Sequence, residues 1–315
     1  MLTVHFLNVG HGDCTIIAHP SGRLTMIDIN NSQNYDQDTL REMAHEELRK
    51  SYGIVASASP LVEALTMDKM AKRAPRELTD PIQFMKDTYP GVSLWRYIQT
   101  HPDLDHMRGL RRLDEEIGFT NFWDTANDKV VTSFRSDADR VDWRSYRGRS
   151  SRKLYTRGDS CFAFGKEENG MPGGDNIEIL SPNAEIVGAC NTADSYNDIS
   201  LVIRVHHAGR TVLLPGDAED LAWDNMVATY GDRLKSDFLK ASHHGRDSGY
   251  HMEAVRHIKP IITFVSVGQK PATDASSKYR NFSDLVASTR FYGNIELRIH
   301  DDGSCKWFVQ HNVGK

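Results

Sequence analysis

Residues 101–106, His101-Pro102-Asp103-Leu104-Asp105-His106, place two imidazoles and two carboxylates in six positions behind the apolar and aromatic run of residues 92–98. A strand that ends in such a turn aims several metal-binding groups at one point. Imidazole nitrogen and carboxylate oxygen in this mixture suit a divalent ion, and two ions become possible once further ligands arrive from elsewhere. Two other stretches can deliver them. A hairpin is expected from residues 202–205 and 211–214 around the turn His206-His207-Ala208-Gly209-Arg210, and its second strand runs into Pro215-Gly216-Asp217. A carboxylate there is placed to bridge two ions. A short strand over residues 237–241 then ends in Ser242-His243-His244-Gly245, which offers at least one more imidazole.

The elements that must position these groups fall into strand and helix blocks. Residues 3–29 read as a strand meander, with turns at Gly10-His11-Gly12-Asp13 and Pro20-Ser21-Gly22. Helices are expected over residues 38–50 and 61–72, a third begins at Asp80-Pro81, and a fourth covers residues 108–117. Residues 119–174 show little periodicity. Strands return at 176–180, 201 onward, 261–267, 295–300 and 306–310, with a helix expected over 281–291. Strand blocks in both halves with helices between them suit an α/β architecture of two helix-covered sheets. We read one domain over 1–315, with a helical insertion at 31–91 and an irregular, basic-loop insertion at 119–174. The insertion at 31–91 serves either as a cover over the cleft or as a partner surface.

Bulk properties bound the function. The 315 residues are 39% hydrophobic, enough for a sizeable core, and the net charge of −5 disfavours indiscriminate nucleic-acid binding. Cys14, Cys161, Cys190 and Cys305 are scattered, which suggests thiols rather than a disulfide framework or a zinc knuckle. No apolar run approaches the ~18 residues of a membrane span, and the opening residues lack a signal-peptide pattern, so a cytoplasmic protein with no membrane association is expected.

The ordered motifs resemble the metallo-β-lactamase superfamily, and within it the branch of the hydrolase domain of the DNA-uptake protein ComEC. They are Phe6-Leu7-Asn8-Val9-Gly10-His11-Gly12-Asp13, Met26-Ile27-Asp28, the 101–106 turn, Asn197-Asp198-Ile199-Ser200-Leu201-Val202, Leu213-Leu214-Pro215-Gly216-Asp217-Ala218, Leu239-Lys240-Ala241-Ser242-His243-His244-Gly245, and Phe264-Val265-Ser266-Val267-Gly268. The resemblance implies an αββα sandwich with a dinuclear site at one sheet edge. It assigns His101 and Asp103 to one ion, Asp105 and His106 to the other, and Asp217 as the bridge, so that Asp105, His106 and Asp217 carry the catalysis. Either His243 or His244 completes the set. Asn197 or Asp198 stands where a third-motif histidine is usual, although Asn-Asp before a strand is also ordinary turn chemistry. Asp28, and with it Asp13 and His11, would support the ligands from behind; His11 stands where that branch usually has Gln.

Asp103 in place of the superfamily's second histidine makes the site harder. That favours Mn²⁺, with Zn²⁺ or Mg²⁺ possible, in a pair of divalent ions roughly 3.5–4 Å apart suited to phosphodiester hydrolysis by metal-activated hydroxide. Arg144, Arg147, Arg149, Arg152, Lys153 and Arg157, interleaved with Trp143, Tyr146 and Tyr155, could guide a DNA strand to the metals. The same run could instead pair with Asp137, Asp139 and Asp142. The leading expectation is a nuclease, against hydrolysis of a small phosphodiester or nucleotide, or a non-catalytic, metal-stabilised regulatory module. A nuclease inside its own cell would need restraint, by a regulatory protein partner or by homo-oligomerisation.

Overall fold

The computed structural model describes residues 1–35, 37–52, 59–157, 175–267 and 273–311. Gly268, Cys161 and residues 158–174 of the second insertion lie outside the described residues. Sixteen strands are present among the described residues: β1 (Leu2–Phe6), β2 (Thr15–Ala18), β3 (Leu24–Ile27), β4 (Ile29–Asn30), β5 (Leu94–Ile98), β6 (Met107–Arg108), β7 (Phe119–Asp124), β8 (Arg152–Leu154), β9 (Ile177–Ser181), β10 (Val202–His207), β11 (Arg210–Leu214), β12 (Phe238–Lys240), β13 (Ile262–Val265), β14 (Leu285–Ser288), β15 (Ile295–Ile299) and β16 (Cys305–Val309). The α-helices are α1 (Gln37–Tyr52), α2 (Pro60–Glu77), α3 (Pro81–Thr88), α4 (Leu110–Glu116), α5 (Asp137–Gly148), α6 (Ala184–Ala193), α7 (Asp220–Tyr230), α8 (Met252–Ile258), α9 (Ser276–Tyr279) and α10 (Thr289–Tyr292).

Two large mixed sheets result, with strand orders β16-β15-β1-β2-β3-β5-β7-β8 and β14-β13-β12-β11-β10-β9, and β4 pairs with β6 in a small third sheet. Their inner faces meet through Val4, Phe6, Ile98 and Trp123 on one side and Ile203, Val212, Leu214 and Phe264 on the other. Phe6 and Phe264 stack with ring centroids 4.6 Å apart. β1 is covered on both faces, so that every residue of it is buried, Thr3 and His5 included. On the outer face of the first sheet, Ile82 and Met85 of α3, Leu110 and Leu113 of α4, and Trp143 and Tyr146 of α5 pack against Ile16, Met26, Tyr97 and Phe122. On the outer face of the second, Ala222, Trp223 and Met226 of α7 and Ala254, Val255 and Ile258 of α8 pack against Val202, Leu213, Leu239 and Val265. The layer order is therefore α, β, β, α.

Local sequence explains most boundaries. Asp80 accepts from the backbone N–H groups of Ile82 and Gln83 while Pro81 fills the first helical position, so α3 starts where the Asp-Pro pair places it. In 31–91, α1 and α2 form their own small core of Leu40, Met70, Ala74 and Leu78 with Tyr35, whereas α3 belongs to the main outer layer.

Two expectations are corrected. The segment expected to be irregular contains β7, α5 and β8, and Ser136 caps α5 by accepting from Asp139 N–H. The helix expected over 281–291 is replaced by β14 and the single turn α10, because Leu285–Ser288 extends the parallel sheet beside β13. Pairing across the sheet decides there, and local spacing does not.

Candidate metal centre

Five chain segments end at one place on the sandwich. The loop before β2 brings Asp13, the end of β3 brings Asp28, the turn after β5 brings residues 101–106, the end of β11 brings Asp217, and the end of β12 brings His243 and His244. Around Asp217 Oδ2 stand four imidazole Nε2 atoms: His106 at 3.2 Å, His244 at 3.4 Å, His243 at 3.7 Å and His101 at 3.9 Å. Donor atoms of Asp13, His106, Asp217 and His244, all four buried, lie within 4.8 Å of one another. A second group, His11, Asp105 and His244, meets the same limit, so His244 joins the two.

Three of these groups sit on strained backbone. His243 and His244 are consecutive left-handed residues with φ of 47° and 55°, and Asp28 has φ 55°. Such a conformation costs a non-glycine residue on the order of 1 kcal/mol, and the surrounding contacts must sustain it. Gly12 is fixed by proximity, since a Cβ there would come within 2.5 Å of the Asp105 carbonyl oxygen. The Gly10–Asp13 turn therefore sits directly on the metal-ligand turn.

Behind the cluster lies a layer of supporting acceptors. Asp28 Oδ2 takes His106 Nδ1–H at 2.8 Å and Thr100 Oγ1–H at 2.7 Å, while Asp28 Oδ1 takes Thr100 N–H at 2.8 Å. A carboxylate can only accept, so the His106 ring points Nε2 toward Asp217. Glu219 does the same for His243, accepting from Nδ1 at 2.8 Å. Gln99 Nε2 donates to the carbonyl oxygens of His101 and His106, which closes the turn. His101 Nδ1 faces Thr100 Oγ1 and Ser200 Oγ at 3.1 and 3.3 Å. Asp13 meets the buried Lys240 ammonium on its other side.

Charge sets the protonation of the metal-free cluster. Burial pushes the pKa of His106 down, but Asp217 and Asp28 outweigh it and hold the ring well above its ordinary value. Burial likewise opposes protonation of His244, and Asp217, Asp13 and Asp105 raise it to about 9. Burial alone would raise Asp217 and Asp105, yet the adjacent His106 and His244 imidazolium groups hold both well below the usual carboxylate range. His101 is lowered, first by burial and then by His106.

The cluster passes a chemical test for a divalent cation. His101 Nε2, His106 Nε2, both ring nitrogens of His244 and Asp217 Oδ1 are buried and make no hydrogen bond. Buried polar atoms left unsatisfied cost about 1–3 kcal/mol each, and a cation among imidazole and carboxylate donors satisfies them together.

Several residues stand elsewhere than the sequence reading places them. Asp103 turns from His101 to an ion pair with Lys129. Asp198 Oδ1 accepts from Glu219 and Ala222 N–H at the start of α7, and Asn197 Nδ2 donates to Glu219 Oε1 at 3.1 Å. The side chains of the pair reach the cluster through Glu219 and His243.

The basic segment is not arranged as a free loop around the metals. Arg149 pairs with Asp114 and Arg152 with Asp124, Arg147 donates to Asn127, Arg157 to Asn225 and Thr229, and Lys153 to Asn121. Arg144 is exposed on α5. Trp143, Tyr146 and Tyr155 are buried and unavailable for base stacking. An open cleft of about 1030 Å³ borders the cluster at His11, Asp103 and Asp105, and none of residues 144–157 lines it.

Glu219, Lys240 and Arg246 are the site residues the sequence reading passes over. Their positions beside Asp217, before Ala241-Ser242-His243-His244 and after Gly245 were the available signal.

No helix among the described residues is long and apolar enough to cross a membrane. No protein-family model and no curated protein matches the chain. Among the solved structures similar to this chain are three from different organisms. The metallo hydrolase Igni18 from Ignicoccus hospitalis has a TM-score of 0.45 and 11% identity over 97% of this chain and 98% of its own. The metallo-β-lactamase fold protein YhfI from Bacillus subtilis has 0.41 and 10% over 98% and 100%. The diiron β-hydroxylase CmlA from Streptomyces venezuelae has 0.45 and 11% over 94% and 54%. By its own layering, the chain is an αββα sandwich with a cluster of metal-ligand type at its strand ends.

Proposed function

We propose that this chain is a metal-dependent phosphodiesterase that cleaves DNA. The observation that carries the reading is the convergence of four imidazoles on one oxygen of Asp217, with Asp105 opening into the adjacent cleft. His101, His106, His243, His244, Asp13, Asp105 and Asp217 would hold divalent metal, and their mixture of imidazole and carboxylate suits Mn²⁺ or Zn²⁺ better than Mg²⁺. Such a pair of ions supplies Lewis acidity toward a phosphoryl oxygen and lowers the pKa of water. The protein's part is orientation: Asp28 and Glu219 fix two rings, and Gly12 presses the Asp13 turn onto Asp105.

A second reading, hydrolysis of a small phosphodiester or nucleotide, is favoured by one observation. The arginines of residues 144–157 that would steer a long strand lie away from the cleft, most of them engaged within the protein. Incubation with Mn²⁺, Zn²⁺ or Mg²⁺ and single-stranded DNA, double-stranded DNA or a chromogenic diester separates the two. Cleavage of DNA supports the first reading and cleavage of the small diester alone the second. Turnover of none of them with any metal contradicts both.

A further inference from the structure

Six cationic side chains line the cleft: Arg108, Arg111, Arg112, Lys129, Arg135 and Arg246. Four are neutralised by carboxylates, Arg108 by Asp139, Arg111 by Glu115, Arg112 by Asp80 and Glu116, and Lys129 by Asp103. Arg135 is exposed at the cleft rim, two residues before α5. Arg246 differs from all of them. It is half-buried, has no carboxylate within ion-pair distance among the described residues, and its Nε is buried without a hydrogen-bond partner. Its Nη2 lies 2.9 Å from His11 Nε2, and that nitrogen is 3.8 Å from Asp105 Oδ2. The His11 ring packs on His244 with centroids 4.9 Å apart.

The backbone around Arg246 is pinned. Its N–H donates to the His243 carbonyl at 2.9 Å, its own carbonyl accepts from Gly249 N–H at 3.1 Å, and the neighbouring Gly245 carbonyl accepts from Ala275 N–H at 2.8 Å. The Arg246 main chain is thus fixed relative to His244, and the Nη2 contact with His11 directs the guanidinium. A guanidinium is always charged and presents a planar fork of donors matched to two oxygens of a tetrahedral anion. Leaving one uncompensated beside a cleft is costly unless an anion arrives to pair with it.

We infer that Arg246 is the anion-binding residue of the substrate site, taking non-bridging phosphoryl oxygens at the edge of the metal cluster, with His11 holding the guanidinium in place. The inference rests on the phosphodiesterase reading for its choice of phosphoryl over other anions. Arg246 sets substrate affinity and does not hold metal.

The test is titration of the metal-loaded full chain with inorganic phosphate, with metal content and thermal midpoint measured on the same samples. Arg246→Ala should weaken phosphate binding by about 10- to 100-fold, the range for a lost charge-assisted hydrogen bond, and Arg246→Lys should recover part of it. Metal content and thermal midpoint should stay at the wild-type level in both. Equal phosphate affinity in wild type and Arg246→Ala overturns the inference, as does absence of phosphate binding by the wild type. Loss of metal from Arg246→Ala also overturns it, because Arg246 would then support His11 and the cluster. Failure of the phosphodiesterase reading looks different: phosphate would bind in an Arg246-dependent way while no diester is cleaved.

Discussion

His106 links two carboxylates through one ring: Nδ1 lies 2.8 Å from Asp28 Oδ2, and Nε2 lies 3.2 Å from Asp217 Oδ2. The first contact orients the ring and the second marks where a cation would be shared. Asp28→Asn separates these roles, because Asn tolerates the left-handed backbone at this position while removing the charge. Divalent-metal affinity should fall about 10- to 100-fold, as for loss of a carboxylate behind a metal-binding imidazole. Competition with a chromogenic chelator measures it, and unchanged affinity would remove Asp28 from the account.

Metal binding should release protons. In the metal-free protein His244, with a pKa of about 9, and His106, held well above its ordinary value, are protonated near neutrality, so a cation must displace those protons. Affinity should therefore rise with pH up to about 9. The same groups make the metal-free fold pH-dependent. Their folded pKa values exceed the unfolded value of about 6.5, so the stability they contribute is complete below that pH and declines as pH rises through about 9. A chelated sample whose melting temperature climbs from pH 7 to 9 would contradict this.

On the acid side the sign reverses. Burial pushes His19 down to about 3 and His5 down to about 4, so both fold neutral and are protonated only when unfolded. Their contribution is complete above about pH 6.5 and is lost as pH falls toward these values. His19→Gln should flatten the decline in urea midpoint between pH 7 and 4. A decline as steep as in the wild type would assign acid sensitivity elsewhere.

Arg152 is expected to matter for stability and not for substrate. It pairs at 2.7 Å with the fully buried Asp124, which burial raises to about 6 even against that charge. Arg152→Ala should cost about 3 kcal/mol, the penalty for leaving one partner of a buried pair behind. Denaturant unfolding reads the loss, and activity per folded molecule should be unchanged. A normal midpoint with selective loss of DNA cleavage would restore the basic segment to the substrate path.

What the sequence made legible follows from locality. The β10–β11 hairpin is readable because its turn and alternation are contiguous, and pairing Ile203 with Leu214 matches that reading. Asp80-Pro81 announces α3 for the same reason. By contrast α5 carries few apolar residues, and its buried Trp143 and Tyr146 sit among arginines that resemble a nucleic-acid loop until Asp114 and Asp124 arrive from elsewhere in the chain. The pairings of Lys240 with Asp13 and of Lys129 with Asp103 join distant segments, and no local spacing encodes them. Glu219 was visible beside Asp217, but its role depends on the left-handed turn at His243, a backbone conformation that His residues seldom announce.

The most direct test of the central claim is elemental analysis of the purified chain after equilibration with Mn²⁺ or Zn²⁺, set against Asp217→Ala. Wild type should retain two divalent ions per chain, and Asp217→Ala, which deletes the carboxylate shared by four imidazoles, should lose at least one while remaining folded. A wild-type protein that retains no metal, or an Asp217→Ala variant with the full complement, would contradict the account.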